Sequence, residues 1–286
     1  MAATRDASAA PGRTTAPRVY DSSDRGLRVL EEARDLWAYR GLVHELVVRD
    51  IKVRYKRSVL GVTWTMLAPL LNMITLTIVF SALMKIAITN YPVYFMTGIL
   101  FWNFFSKSTS AAALQTQDAN EIAKKTFVPR SVFVAAAIGV ALVNLVLSLV
   151  PLLLILAATR FPLHATWLFL PISILIGTLF AAGVALFLFT VATRFSDVRE
   201  MYLVFIQVWF FLTPIVYHIS IVPTRYRFPI WINPMYYLIQ TFREPIYDGT
   251  LPSAGLLAGS FLSALIFFLA GWAYFCHRAD KFALIS

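Results

Sequence analysis

The residues with the plainest chemistry form a basic run, Arg49, Lys52, Arg54 and Lys56, inside a charged amphipathic stretch. Cations at this density hold anionic headgroups, and arginine does so through charge-assisted hydrogen bonds. Near an anionic leaflet each Lys or Arg contributes about 1 kcal/mol. A second group sits in the loop 117–131, QDANEIAKKTFVPRS. Asp118 or Asn120 can cap a short helix there, and Pro129 stops it. A short, capped, charged helix suits docking against a soluble partner; a solvated loop is the plainer reading. A third group lies in 222–249, which carries Pro223, Pro229, Pro234 and Pro245 among Trp231, Tyr236, Tyr237, Phe242 and Tyr247. Asn233-Pro234 starts a helix, with Asn at the cap and Pro at the first helical position. The stripe Met235, Leu238, Ile239 and Phe242 is too short to cross a bilayer and too apolar for free solvent. A re-entrant or interfacial helix fits it, with a loop of aromatic-belt residues as the alternative.

Other chemistry is missing from the sequence. There is no G-x-x-x-x-G-K-[ST] loop, no H-E-x-x-H and no G-x-S-x-G. Histidines 44, 164, 218 and 277 are scattered, and the single cysteine, Cys276, excludes a disulfide framework or a zinc ribbon. No metal or cofactor is expected in this chain. No Asp or Glu falls within a predicted span, which argues against proton- or sodium-coupled carriage and against a membrane acid/base enzyme. If the chain transports, the energy comes from another subunit.

The elements that position these groups are set by hydropathy. Of the 286 residues, 59% are apolar and 14% charged, against about 25% charged in soluble domains. A soluble core of this size cannot hide so much apolar surface, and disorder is excluded for most of the chain. A bilayer core takes roughly 20 apolar residues per helix. The gaps between formal charges predict six transmembrane helices near 60–84, 93–115, 132–158, 166–193, 201–220 and 254–277. The second carries Asn103, Ser106, Lys107, Ser108, Thr109 and Ser110. It either lines a path or lies buried in a bundle that tolerates hydroxyls. Lys and Arg concentrate between Arg5 and Arg57 and at Lys124, Lys125, Arg130, Arg194, Arg199, Arg278 and Lys281, so both termini are expected to be cytoplasmic. The net charge of +10 is then a cytoplasmic collar, and nucleic acid is not required.

Residues 1–22 are expected to be a disordered cytoplasmic tail without a signal peptide, and 23–57 an interface helix broken near Gly41. A soluble cap packed on the bundle is the alternative for 23–57. Residues 58–286 then form the transmembrane domain.

Four motifs carry a resemblance. Arg49-Asp50-Ile51-Lys52-Val53-Arg54-Tyr55-Lys56-Arg57-Ser58, continuing through Val59-Leu60-Gly61 to Trp64 and Pro69, is similar to the RDLKxRYxxSxLGxxW signature of ABC-2-type polysaccharide export permeases of the Wzm/TagG type. Residues 120–130 resemble that family's coupling helix, with Val128 separating Phe127 from Pro129 and Ala123 standing where relatives carry Leu or Ile. Phe211-Leu212-Thr213-Pro214-Ile215-Val216-Tyr217 resembles its F-L-T-P-I-I-Y run, and Asn233-Pro234 with Phe242-Arg243 its external gate helix. Within the family the sequence is most similar to the mycobacterial permeases for lipid-linked galactan.

The resemblance implies an all-α membrane protein: six transmembrane helices, an N-terminal amphipathic interface helix, a cytoplasmic coupling helix and an external re-entrant gate segment. It implies a multi-pass subunit of the bacterial cytoplasmic membrane that is not an enzyme. Its partners would be a second copy of itself, two copies of an ATPase subunit carrying ATP and Mg, membrane lipids and a polyprenyl-diphosphate-linked polysaccharide (galactan, O-antigen or teichoic-acid-like). ATPase coupling falls on Asn120, Glu121, Lys124, Lys125, Phe127, Pro129 and Arg130. The lipid diphosphate falls on Arg49, Lys52, Arg54 and Lys56, which could equally hold anionic phospholipid or dock on the ATPase. The external gate falls on Asn233, Pro234, Tyr236, Tyr237 and Phe242. Aromatic rings stack on sugar faces and tolerate sliding, so Trp64, Tyr94, Phe101, Trp102, Phe104, Phe105, Trp209 and Phe210 are candidates to line a conduit at the homodimer axis, with core packing as the plainer reading. An ABC-2 permease for a small lipophilic drug or a single lipid is the alternative function.

Overall fold

The computed structural model describes residues 28–56, 61, 63–79, 88–116 and 128–282. Among them every regular element is a helix. Two short helices, α1 (Arg28–Ala38) and α2 (Arg40–Tyr55), precede α3 (Thr63–Thr77), α4 (Tyr91–Leu114) and α5 (Ser131–Ala158). A 3₁₀ turn at Ala165–Phe169 leads into α6 (Leu170–Arg194), and α7 (Asp197–Leu212) follows directly. Short turns lead to α8 (Phe228–Ile232), α9 (Pro234–Tyr247) and α10 (Ala254–Phe282). The expected tail 1–22 lies outside the described residues, as do Asn120, Glu121, Lys124, Lys125 and Phe127 of the expected coupling helix.

Among the described residues three segments are long and apolar enough to cross a membrane: Ser131–Ala158, Ala165–Arg194 and Ala254–Arg278. They match the third, fourth and sixth predicted spans. α6 and α10 meet backbone to backbone at Gly183 and Gly271. A Cβ on Gly271 would stand 2.0 Å from the Gly183 carbonyl oxygen, so only glycine permits this small-residue crossing.

α4 corresponds to the polar second span, and it is the hub. It packs against α3, α5, α6, α7 and α9. Two of its hydroxyls are enclosed in the bundle and bonded there: Ser108 Oγ donates to the Phe104 carbonyl at 2.7 Å and Thr109 Oγ1 to that of Phe105 at 2.8 Å. The Tyr202 hydroxyl of α7 donates to Thr109 Oγ1 at 2.6 Å. The buried reading describes Ser108 and Thr109, whereas Asn103, Ser106 and Ser110 are half-buried and Lys107 is exposed.

The fifth predicted span, 201–220, is shifted in the structure. α7 starts at Asp197, where Asp197 and Glu200 complement the helix N-terminus, and it stops at Leu212. Pro214 is the reason: it disfavours helical geometry at the residue before it, and Thr213 is extended, with φ −105° and ψ 131°. The chain that follows the C-terminal end of this helix is therefore non-helical.

The amphipathic stretch breaks at Tyr39, two residues before Gly41. α2 packs on α5 through Leu46 and Val47, whereas Leu30 and Trp37 of α1 remain about 70% exposed. Its first half thus presents apolar side chains outward and its second half caps the bundle.

Candidate functional site

Non-helical backbone in an apolar bundle needs a partner for every carbonyl. The chain after α7 meets this demand residue by residue. The Leu212 carbonyl accepts from Asn233 Nδ2 at 3.4 Å, and that of Thr213 from the Ile215 amide at 2.7 Å. Pro214 and Ile215 present their carbonyls to Arg243, at 3.1 Å from Nη1 and 3.3 Å from Nη2. The Tyr91 hydroxyl donates to the Val216 carbonyl at 3.0 Å, and the Tyr94 hydroxyl to that of Tyr217 at 2.9 Å. Six consecutive carbonyls, 212–217, are thereby held, and all but one of them by side chains of α4 and α9 or the α9 cap.

Arg243 is the centre of this arrangement. It is 1% exposed. Its Nη1 also donates to Tyr94 Oη at 2.8 Å, and the guanidinium stacks over the Tyr94 ring, 3.9 Å from the centroid. Space for it comes from Gly98, where a Cβ would lie 2.4 Å from Nη2. A stacked, multiply donating site of this kind suits arginine and not lysine.

The gate residues named from the sequence divide around this node. Asn233 caps α9 through Met235 N at 3.0 Å, accepts from Trp209 Nε1 at 2.9 Å and donates to Thr213 Oγ1 at 2.9 Å. Phe242 is enclosed against Phe101, with ring centroids 5.4 Å apart. Tyr236 and Tyr237 are half-buried and meet edge to face, and Pro234 is half-buried beside them. Tyr91 was not singled out from the sequence, and Thr213 and Arg243 entered only as members of two family-like runs, with no role assigned to either. For Arg243 the available signal was a single cation within an apolar stripe.

The aromatic candidates are placed as follows. Tyr94, Phe101, Trp102, Phe104 and Phe105 are enclosed within the single chain, none more than 5% exposed. Trp209 and Phe210 are half-buried and Trp64 is exposed. Trp102, Phe105, Trp209 and Phe210 are brought together, with Trp102 6.2 Å from Trp209 and Phe105 5.4 Å from it. In this conformation they pack as a slab between α4 and α7, so a second copy could only bury them further.

At the other end of α4, among the described residues, ties run to two half-buried carboxylates, Asp50 and Glu32. Arg49, Lys52, Arg54 and Lys56 are all exposed, and Arg49 pairs with Asp50 at 2.8 Å. Gln115 Nε2, just past α4, donates to Asp50 Oδ2 at 3.2 Å. Ser131, which opens α5, donates to Glu32 of α1 at 2.5 Å. Burial raises the Glu32 carboxyl above its ordinary value, against the bond from Ser131. Pro129 and Arg130 are half-buried. Among the described residues no cluster of three or more His, Cys, Asp or Glu is placed to hold a metal ion.

The family model for ABC-2 type transporters matches residues 42–247, from α2 through α9. This chain belongs to the ABC-2 transporter family. Its relatives include the O-antigen export system permease protein RfbA of Myxococcus xanthus, 31% identical over 87% of this chain and 97% of that protein. The protein of the same name from Klebsiella pneumoniae is 26% identical over 86% and 96%. The polysialic acid transport protein KpsM of Escherichia coli is 20% identical over 83% and 93%. The ABC-2 match takes in the node, the slab and the basic run, and leaves out α1 and α10.

Proposed function

We propose that this chain is the transmembrane subunit of an ATP-driven exporter. It moves a polyprenyl-diphosphate-linked polysaccharide, of the cell-wall galactan, O-antigen or teichoic-acid class, across the cytoplasmic membrane. The observation that carries the reading is the extent of likeness: relatives named as O-antigen export permeases align over almost the whole of both chains. In this reading six spans are completed by α3, α4 and α7, both termini are cytoplasmic, residues 120–130 dock on a separate ATPase, and two copies assemble around the path.

The path is best assigned to the outward faces of α3 and α7, both of which pack on α4. α3 exposes Asn72 and Thr75 beside Trp64, and α7 exposes Gln207 beside Phe205 and Phe211. Polar groups on membrane helices avoid lipid and favour a partner or a hydrated path, and aromatic rings between them provide sliding surfaces for sugars. The buried slab behind α7 then stiffens this wall. Arg49, Lys52, Arg54 and Lys56 receive the diphosphate.

The test is co-purification with a candidate ATPase, followed by ATPase assays with lipid-linked glycans in nanodiscs. Stable co-purification and several-fold stimulation by a polyprenyl-diphosphate glycan, but not by the free glycan, are expected. Stimulation by small lipophilic compounds alone would overturn the polymer reading in favour of a drug or single-lipid permease.

A further inference from the structure

Among the described residues Arg243 is the one charged side chain in the fully enclosed core. Burying a charge is costly unless it is paired and hydrogen-bonded, yet its partners are the Tyr94 hydroxyl, the Gln240 amide oxygen and the Pro214 and Ile215 carbonyls, none of them a carboxylate. Its Nε has no partner. The segment it holds has the complementary need. Thr213, ahead of Pro214, is extended and 214–217 form turns and bends, so the carbonyls of this segment require donors from elsewhere. A helical outer end packed against an apolar residue 243 would avoid both costs. The sequence instead keeps a turn and a cation that satisfy each other.

We propose that Arg243 is a positioning residue that pins the 213–217 turn and thereby sets the shut arrangement of the outer end of α7. Opening of that end requires the guanidinium to give up the Pro214 and Ile215 carbonyls. Tyr91 and Tyr94 hold the two carbonyls that follow, so the turn leaves as a unit. Gly98 is part of the device, because any larger residue displaces Nη2. The sealing role rests on the export reading above; the pin itself does not.

The experiment uses full-length protein in nanodiscs with Val216→Cys as a reporter. Position 216 is 7% exposed, and the native Cys276, 5% exposed, is kept as an internal control for general unfolding. Peptide-resolved labelling with a polar maleimide is followed over time. In the reporter background both thiols label slowly. Arg243→Gln raises labelling at 216 about tenfold, the scale of one lost charge-assisted hydrogen bond, with Cys276 still protected. Arg243→Lys, which can hold one carbonyl but not two, falls between. Gly98→Ala and Tyr94→Phe, which leave the arginine in place, raise labelling at 216 as well and decide the matter if Arg243→Gln does not fold. Unchanged labelling at 216, or equal labelling of both thiols, overturns the pin. Bilayer conductance of the same variants should rise; selective labelling without conductance overturns the seal. Loss of glycan-stimulated ATPase activity in the unmodified protein would instead overturn the export reading.

Discussion

The two ends of α4 are built on opposite terms. At the end of α4 that the proposed topology places outside, a buried cation, two tyrosines and an asparagine hold five of six consecutive carbonyls of one turn, and a backbone amide holds the sixth. At the end it places inside, among the described residues, Asp50 is tied to Gln115 and Glu32 to Ser131, and Arg49, Lys52, Arg54 and Lys56 are exposed. Many buried bonds between few groups give a stiff, cooperative unit. Isolated half-buried bonds next to water contribute little and break one at a time. The comparison teaches where this fold is rigid: the outer turn moves all together or not at all, whereas the inner ties can be exchanged singly.

Four variants break or sharpen this contrast. The largest effect belongs to Arg243→Met, which leaves buried acceptors without donors; a loss of about 3 kcal/mol in unfolding stability is expected, read as a clear fall in Tm of the purified protein. Asn233→Ala follows, with about 1–2 kcal/mol lost, since it removes an N-cap together with the bonds to Trp209 and Thr213; the same melting measurement checks it.

At the inner end the sign reverses. The Glu32 carboxyl is raised by burial, so the fold prefers it protonated. Its contribution is intact below the ordinary glutamate value of 4.5 and is lost as the pH rises from there through the raised value. Glu32→Gln keeps an acceptor for Ser131 and removes the charge. It should flatten the pH dependence of Tm and leave stability at neutral pH equal or higher, whereas a lower Tm at neutral pH would erase the contrast between the ends. The smallest effect on stability is expected for Lys52→Glu with Arg54→Glu, within about 0.5 kcal/mol because both side chains are exposed. Their cost should fall instead on glycan-stimulated ATPase activity, and intact stimulation would remove them from headgroup binding.

The three longest spans were legible because their charge-free runs admit no other solution in water or lipid. The fifth was legible in place but not in length: the Thr213-Pro214 pair carries the stop signal, but hydropathy continues across it and hides the end. α4 is harder, because a polar helix can be either a path or a hub, and only its five helical neighbours decide between them. The same ambiguity covered its rings: Phe101 and Phe105 look alike in sequence whether they face sugar or core, and here they face Phe242 and Phe180. Asn233 was legible as a cap from its Pro234, yet its bonds to Trp209 and Thr213 depend on chain more than 19 residues away. Arg243 was legible as part of the gate-helix resemblance but not in its role, because two of its partners are the carbonyls of 214 and 215, which have no sequence signature.

The central claim is that this chain carries a lipid-linked polymer outward. Inside-out vesicles containing the permease and its ATPase, loaded on their outer surface with a polyprenyl-diphosphate glycan, test it most directly. On addition of ATP the glycan should become protected from an added glycosidase, and the protection should disappear when the α7 face is altered by Gln207→Arg. Glycan that stays fully digestible with ATP present, in vesicles whose ATPase is active, would contradict the account.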